Sequence, residues 1–225
     1  MNLIDTTITK AVIIFSGGID STTLLYHIRA QGYDVTALTF DYGQRHRKEI
    51  DCAAKIAARI GVEHKVLDLT ILNKVAASTI TRQELEIPEG RYNEDIMKLT
   101  VVPYRNLIML SIAAAFAASQ WIPELFYGAH SGDHPIYPDC RPEFIEALNR
   151  TLAVGEWNPV RLRAPFSHMS KGEIIKLGLK IEVPYELTWT CYKGKEKPCG
   201  KCGSCIERLE AFEYANAKDP LDYEK

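Results

Sequence analysis

Six residues constrain this chain more than any others. Ser16-Gly17-Gly18-Ile19-Asp20-Ser21 falls directly after the β-branched run Ala11-Val12-Ile13-Ile14-Phe15 and directly before a helix expected from Asp20 to Ala30 and closed by Gly32. A continuous apolar run of that kind reads as a strand buried on both faces. Between such a strand and a helix, the free N–H groups of the helix start and the helix dipole attract anions. Two glycines let the backbone approach a phosphate with no Cβ in the way. The hydroxyls of Ser16, Ser21 and Thr22 add further donors. The loop lacks the Gly-Lys-Ser/Thr ending of a Walker A motif. Its plainer reading is a glycine turn with a helix cap supplied by Asp20 or Ser21.

The rest of the chain alternates in the same way, which predicts an α/β fold with a doubly wound parallel sheet. Asp34–Phe40 and His64–Leu69 read as the next strands, with an alanine-rich helix between them from Arg47 to Ile60, stopped at Gly61. Residues 78–100 are polar and turn-rich, with Pro88, Gly90 and Asn93, and read as a functional insertion or lid. Tyr104–Gln120 reads as the most buried helix, followed by a strand at Leu125–Gly128, a helix at Pro142–Ala153, a short strand near Val160–Arg163 and a helix from Lys171. From Pro184 the pattern changes, so the expected division is a main α/β domain at 1–183 and a small helical metal-binding segment at 184–225 packed on it.

The chain has 225 residues, 46% hydrophobic and 25% charged, with a formal net charge of −2. That balance speaks against a wide nucleic-acid face, which needs clustered Lys and Arg. The start carries Asp5 where a basic signal region would be, and runs such as Leu107–Ala118 are too short to cross a bilayer. A cytoplasmic protein acting on small molecules, bound neither to nucleic acid nor to membrane, is the expectation. A homodimer is compatible with it.

In that compartment disulfides are rare, so the six cysteines need another role. Cys191, Cys199, Cys202 and Cys205 form C-x7-C-x2-C-x2-C, with Gly200 and Gly203 inside the knuckles. Four thiolates at this spacing read as one tetrahedral Zn²⁺ per chain, and four protein ligands make it structural rather than catalytic. An iron–sulfur cluster is the competitor, because C-x2-C-x2-C overlaps such spacings. Cys52, on the apolar face of a helix, reads as a packed small hydrophobe. Cys140 sits among charged residues, and its reactivity is open.

The Ser16–Ser21 string resembles the pyrophosphate loop of the N-type ATP pyrophosphatases, whose fold is adenine nucleotide alpha hydrolase-like. Phe40-Asp41-Tyr42-Gly43-Gln44, Val102-Pro103-Tyr104-Arg105-Asn106, Tyr137-Pro138-Asp139-Cys140-Arg141-Pro142 and the four-cysteine tail narrow the resemblance. Together they look like the 7-cyano-7-deazaguanine synthase family of queuosine and archaeosine biosynthesis, over Lys10 to about Phe212. The resemblance implies a ligase that uses ATP with Mg²⁺. A 7-carboxy-7-deazaguanine carboxylate is adenylated, ammonia displaces AMP, and a second ATP drives dehydration of the amide to the nitrile.

On that resemblance the nucleotide-binding set is Phe15, Ser16, Gly17, Gly18, Ile19, Asp20, Ser21, Thr22, Asp41 and Lys171. The catalytic set is Ser16, Asp20, Ser21, Arg105 and Lys171. Arg105 and Asn106, at a helix start, suit a phosphate or carboxylate; a surface cap is their alternative. Asp139 suits a guanine-like edge, and His130, Asp133 and His134 suit a loop shaping the pocket. A tRNA-thiolating enzyme of the same superfamily is one rival reading. A non-catalytic nucleotide sensor with a zinc knuckle is the other.

Overall fold

The computed structural model describes residues 9–76, 78, 80–81, 87–91, 101–133 and 137–224. Most of the insertion expected at 78–100, and His134, lie outside them. The described strands form one parallel sheet in the order β3-β2-β1-β4-β5: β1 Lys10–Ile14, β2 Asp34–Asp41, β3 Glu63–Asp68, β4 Glu124–Phe126 and β5 Arg161–Arg163. The helices are α1 Ile19–Ala30, α2 Lys48–Arg59, α3 Leu72–Val75, α4 Arg105–Ser119, α5 Pro142–Gly155, α6 Lys171–Lys180 and α7 Gly203–Tyr214.

The two-residue period of β1 sorts its side chains onto two cores. Ala11, Ile13 and Phe15 face one core with Leu24, Leu25 and Ile28 of α1, Ala53 and Ile56 of α2, Ile174 and Ile175 of α6, and Phe212 of α7. Val12 faces the other with Leu110, Ala113 and Ala117 of α4, Leu148 of α5 and all four clustered cysteines. The sheet is therefore doubly wound, and the continuous apolar character of Ala11–Phe15 follows from burial on both faces.

The strand order reverses between β1 and β4, which pair in register from Ala11↔Glu124 to Ile13↔Phe126. In open α/β sheets the crevice outside the strand carboxyl ends at such a switch point is where ligands bind. Ser16–Ser21 leaves β1 at that crevice. No helix of the described residues is long and apolar enough to cross a membrane.

Candidate active site and cysteine cluster

A cavity of about 260 Å³ opens at this crevice. Of the residues expected to bind nucleotide or act in catalysis, Phe15, Ser16, Gly18, Ile19, Asp20, Ser21, Arg105 and Lys171 line it. Gly17, Thr22 and Asp41 do not. Gly17 holds a left-handed φ of +79° and passes its carbonyl to the Trp189 N–H at 3.1 Å. Thr22 is fully buried beneath the loop, and its Oγ1 has no hydrogen-bond partner. Asp41 ends β2, where its carboxylate takes Arg47 at 2.6 Å and the Gly43 N–H at 3.1 Å.

The loop is organised by its serines. Ser21 Oγ accepts the Ser16 N–H at 3.2 Å and lies 3.1 Å from Ser16 Oγ, which accepts the Gly18 N–H at 3.2 Å. Neither Asp20 nor Ser21 caps α1. The helix starts on Gly18 with no side-chain cap, and its first internal bond is Thr22 N–H to Gly18 O at 3.1 Å. The first-turn amides are thus left for another acceptor, and the residues that carry them line the cavity.

Beside the loop stands a charged network. Lys171 Nζ is 3.6 Å from Asp20 Oδ2 and forms a closer ion pair with Glu207. Burial alone would discharge this ammonium, but Asp20, Glu207 and Asp133 outweigh it and hold its pKa well above the usual lysine value. Burial pushes the Asp133 carboxyl up, against the pull of His130, whose Nε2 is 3.5 Å away. The placement of Lys171 comes from its helix start: Ser170 and Glu173 form a reciprocal capping box that fixes the first turn of α6. Ser131 N–H bonds to Met169 O at 2.9 Å, tying the Asp133 loop to the same turn.

A second network lines the cavity near the start of α4. Tyr104, at the N-cap, has φ +55°, a strained value for a bulky residue. Arg105 follows, half-buried, with its guanidinium bonded to Tyr42 Oη and Asn106 Oδ1, both at 3.3 Å. No carboxylate forms an ion pair with it among the described residues, and it lines the cavity. Asn106 Nδ2 donates to Asp139 Oδ1 at 3.1 Å, and Asp139 itself does not line the cavity. Cys140 is buried, 3.1 Å from Tyr127 Oη, and burial pushes its thiol pKa far up, so it is not an activated nucleophile. Cys52 is packed in the core, as its helix face implied.

The four cysteines Cys191, Cys199, Cys202 and Cys205 are buried, with their sulfurs all within 4.8 Å of one another. The Cys199 N–H points at Cys191 Sγ (3.4 Å), and the Cys202 N–H at Cys199 Sγ (3.3 Å). Gly200 turns the knuckle at φ +69°. Backbone donors aimed at converging sulfurs suit thiolates holding a metal ion, and the four cysteines together can bind one.

Several cavity residues escaped sequence reasoning. Glu207 and Ser204 reach it because α7 springs from the last knuckle, and Trp189 and Tyr192 because the chain runs along the loop before the first. Glu49 and His46 come from the start of α2. For Lys171 the Ser170-x-x-Glu173 box was a readable signal; for Glu207 no local pattern exists.

The model of the family described as "Queuosine biosynthesis protein QueC" matches residues 10–216. A 7-cyano-7-deazaguanine synthase from Methanoregula boonei is 54% identical over 215 residues, covering 96% of this chain and 99% of that protein. One from Marinomonas sp. is 52% identical, covering 96% and 98%. Among solved structures, an NMN synthetase from Francisella tularensis has a TM-score of 0.52 at 17% identity, covering 95% of this chain and 84% of that one, a likeness of fold alone. A match that starts at β1 and ends past α7, joined to relatives half identical along nearly their whole length, means that this chain belongs to the QueC family of 7-cyano-7-deazaguanine synthases in queuosine biosynthesis.

Proposed function

We propose that this chain converts 7-carboxy-7-deazaguanine, ammonia and ATP into 7-cyano-7-deazaguanine, releasing AMP and diphosphate at each of two activations. The observation that carries the reading is the Ser16–Ser21 loop. An uncapped helix start, two converging hydroxyls and the Lys171 ammonium all face one cavity. That arrangement favours a leaving diphosphate, whose charge develops as the α phosphorus is attacked.

In the first activation a carboxylate oxygen bonds to the α phosphorus and diphosphate departs with the electrons of its P–O bond. The Ser16 and Ser21 hydroxyls and the first amides of α1 hold the departing group, and Lys171 offsets its charge. Ammonia then adds to the carbonyl carbon, AMP leaves with the C–O electron pair, and nitrogen releases a proton. In the second round the amide oxygen is adenylated, and loss of AMP with the remaining N–H protons closes the C≡N bond.

Arg105 positions the substrate carboxylate with the guanidinium N–H groups that no described residue accepts. Asp41 acts indirectly, fixing the end of β2 through Arg47 and Gly43. Asp20 fits a Mg²⁺ ligand, since its Oδ1 is buried with no hydrogen-bond partner, and Asp133 lies in the same network. Bound there, Mg²⁺ would supply charge neutralisation to the phosphates. Cys191, Cys199, Cys202 and Cys205 would hold one structural Zn²⁺, which supplies order to segment 184–225 packed on domain 1–183. The chain acts on small molecules in the cytoplasm.

Labelling both carboxylate oxygens with ¹⁸O tests the mechanism. One label is expected in the AMP of the first activation and the other in the AMP of the second. Label in inorganic phosphate, or ADP as the main nucleotide product, rejects it.

A further inference from the structure

The described carboxylates on the cavity wall divide in two. Asp20, Asp133 and Glu207 surround Lys171 beside the phosphate loop. Glu49, from the first turn of α2, stands apart from them. Its carboxyl has one polar neighbour within ion-pair range among the described residues, His46 Nε2 at 3.4 Å. Burial pushes the His46 pKa down to about 3, so this ring brings no charge to the pair. Arg105 is close enough to act on Glu49 electrostatically, yet its hydrogen bonds go to Tyr42 and Asn106.

Among the described residues the same cavity therefore holds a carboxyl short of donors and a guanidinium short of acceptors, with the rings of Tyr42, Trp189 and Tyr192 along its wall. A 7-carboxy-7-deazaguanine ring is the complement of that pair. One edge offers two adjacent donors, the ring N–H and the exocyclic amine. The neighbouring edge offers two acceptors, the ring carbonyl and the carboxylate. A carboxylate accepts from two donors at once, and a guanidinium fork donates to two acceptors. Asp139, the other acid whose chemistry suits the donor edge, gives Oδ1 to Asn106 and is off the cavity wall.

We infer that Glu49, in its ionised form beside Arg105, reads the donor edge of the deazaguanine ring, its two carboxylate oxygens accepting from the ring N–H and the exocyclic amine while Arg105 faces the carbonyl and carboxylate. This deepens the functional reading above and rests on it. Glu49 acts here as a specificity-determining residue. It takes no part in the transfer of phosphorus, oxygen or nitrogen.

The test is calorimetric binding of 7-carboxy-7-deazaguanine and of its analogue lacking the exocyclic amine, to wild type and Glu49→Gln, with turnover of both followed in parallel. Far-UV circular dichroism and denaturant unfolding establish that the variant is folded. The side-chain amide introduced by Glu49→Gln would turn a donor toward the exocyclic amine, so the variant is expected to lose the preference rather than bind both ligands equally weakly. Wild type should bind the parent acid about 10- to 100-fold more tightly than the analogue. The folded variant should bind the two within about threefold of each other. A variant that keeps the wild-type preference overturns the inference. So does one that binds the parent as wild type does and fails only in turnover, since Glu49 would then act on the chemistry. Wild type that binds the acid but never turns it over rejects the functional reading, and the binding ratio still decides the role of Glu49. Wild type that does not bind the acid rejects both.

Discussion

Ser16 is the residue on which the loop's chemistry turns, because its hydroxyl both orders the Gly18 amide and adjoins Ser21 Oγ. Replacing it by Ala removes one preorganised donor, and turnover should fall by about 10²–10³-fold with the fold unchanged. Asp20→Ala should cost as much, through the orphaned Oδ1 and the contact with Lys171. Steady-state release of AMP checks both, and a variant with wild-type rate rejects the role of its residue. Glu49 allows a prediction about stability instead. Burial pushes its pKa up to about 8, against the pull of Arg105, whereas an unfolded glutamate titrates near about 4.3. Between those two values the folded protein binds the extra proton, so stability must fall as pH rises through that window and stay low above it. Glu49→Gln removes the ionisation. The variant should unfold at the same urea concentration as wild type near pH 4 and at a higher one near pH 9, by on the order of a few kcal/mol. Equal midpoints at pH 9 would show that Glu49 is not strained when charged.

At the level of elements, the phosphate loop packs against α2 at one glycine. A Cβ on Gly17 would lie 2.5 Å from Glu49 O and 2.7 Å from Ala53 N, both backbone atoms of α2, and the residue sits at φ +79°. Gly17→Ala should therefore cost on the order of 3 kcal/mol from strain and overpacking together. Gly18 is different: its φ is −82°, and a Cβ there would meet only Ser16 Oγ at 3.3 Å and Trp189 O at 3.5 Å. Gly18→Ala should keep its unfolding midpoint and lose nucleotide binding, since the methyl enters the cavity. Urea unfolding beside ATP titration separates the two, and equal losses of stability would refute the contrast. These elements were legible because each strand and helix carries its own period; the strand expected at His64–Leu69 runs Glu63–Asp68, a shift of the size that helix and strand ends usually show. The four-residue helix α3 was not legible, since four residues hold no period. Residues in contiguous strings, such as Ser16–Ser21 and Ser170–Glu173, announced themselves. Glu49 and Glu207 did not, because tertiary packing alone brings α2 and α7 to the loop.

Across the whole molecule, the C-terminal segment closes the cavity that the N-terminal loop opens. Trp189 N–H bonds to Gly17 O, Tyr185 Oη is 2.8 Å from Thr23 Oγ1, and Glu207 pairs with Lys171. The buried Arg208 spans the segment, gripping Asp219 at 2.7 and 3.0 Å and donating to Tyr185 O and Thr188 Oγ1. Four buried sulfurs within 4.8 Å cannot all carry charge unless a cation sits among them. Metal-binding free energy there is folding free energy. Elemental analysis should accordingly find one zinc per chain, and iron in its place would reject the assignment. Stripping the metal with a thiolate-competent chelator should lower unfolding stability by on the order of several kcal/mol. The loss should not stay local. Trp189, Tyr192, Ser204 and Glu207 all reach the cavity from the segment that the cysteines organise, so ATP affinity and turnover should fall together and return together on adding zinc. Hydrogen exchange resolves the order of events: amides of 189–207 should lose protection first, and those of β1 and β2 last. Retention of full nucleotide affinity by the metal-free protein would show that the cysteine knuckle is a staple with no hold on the site.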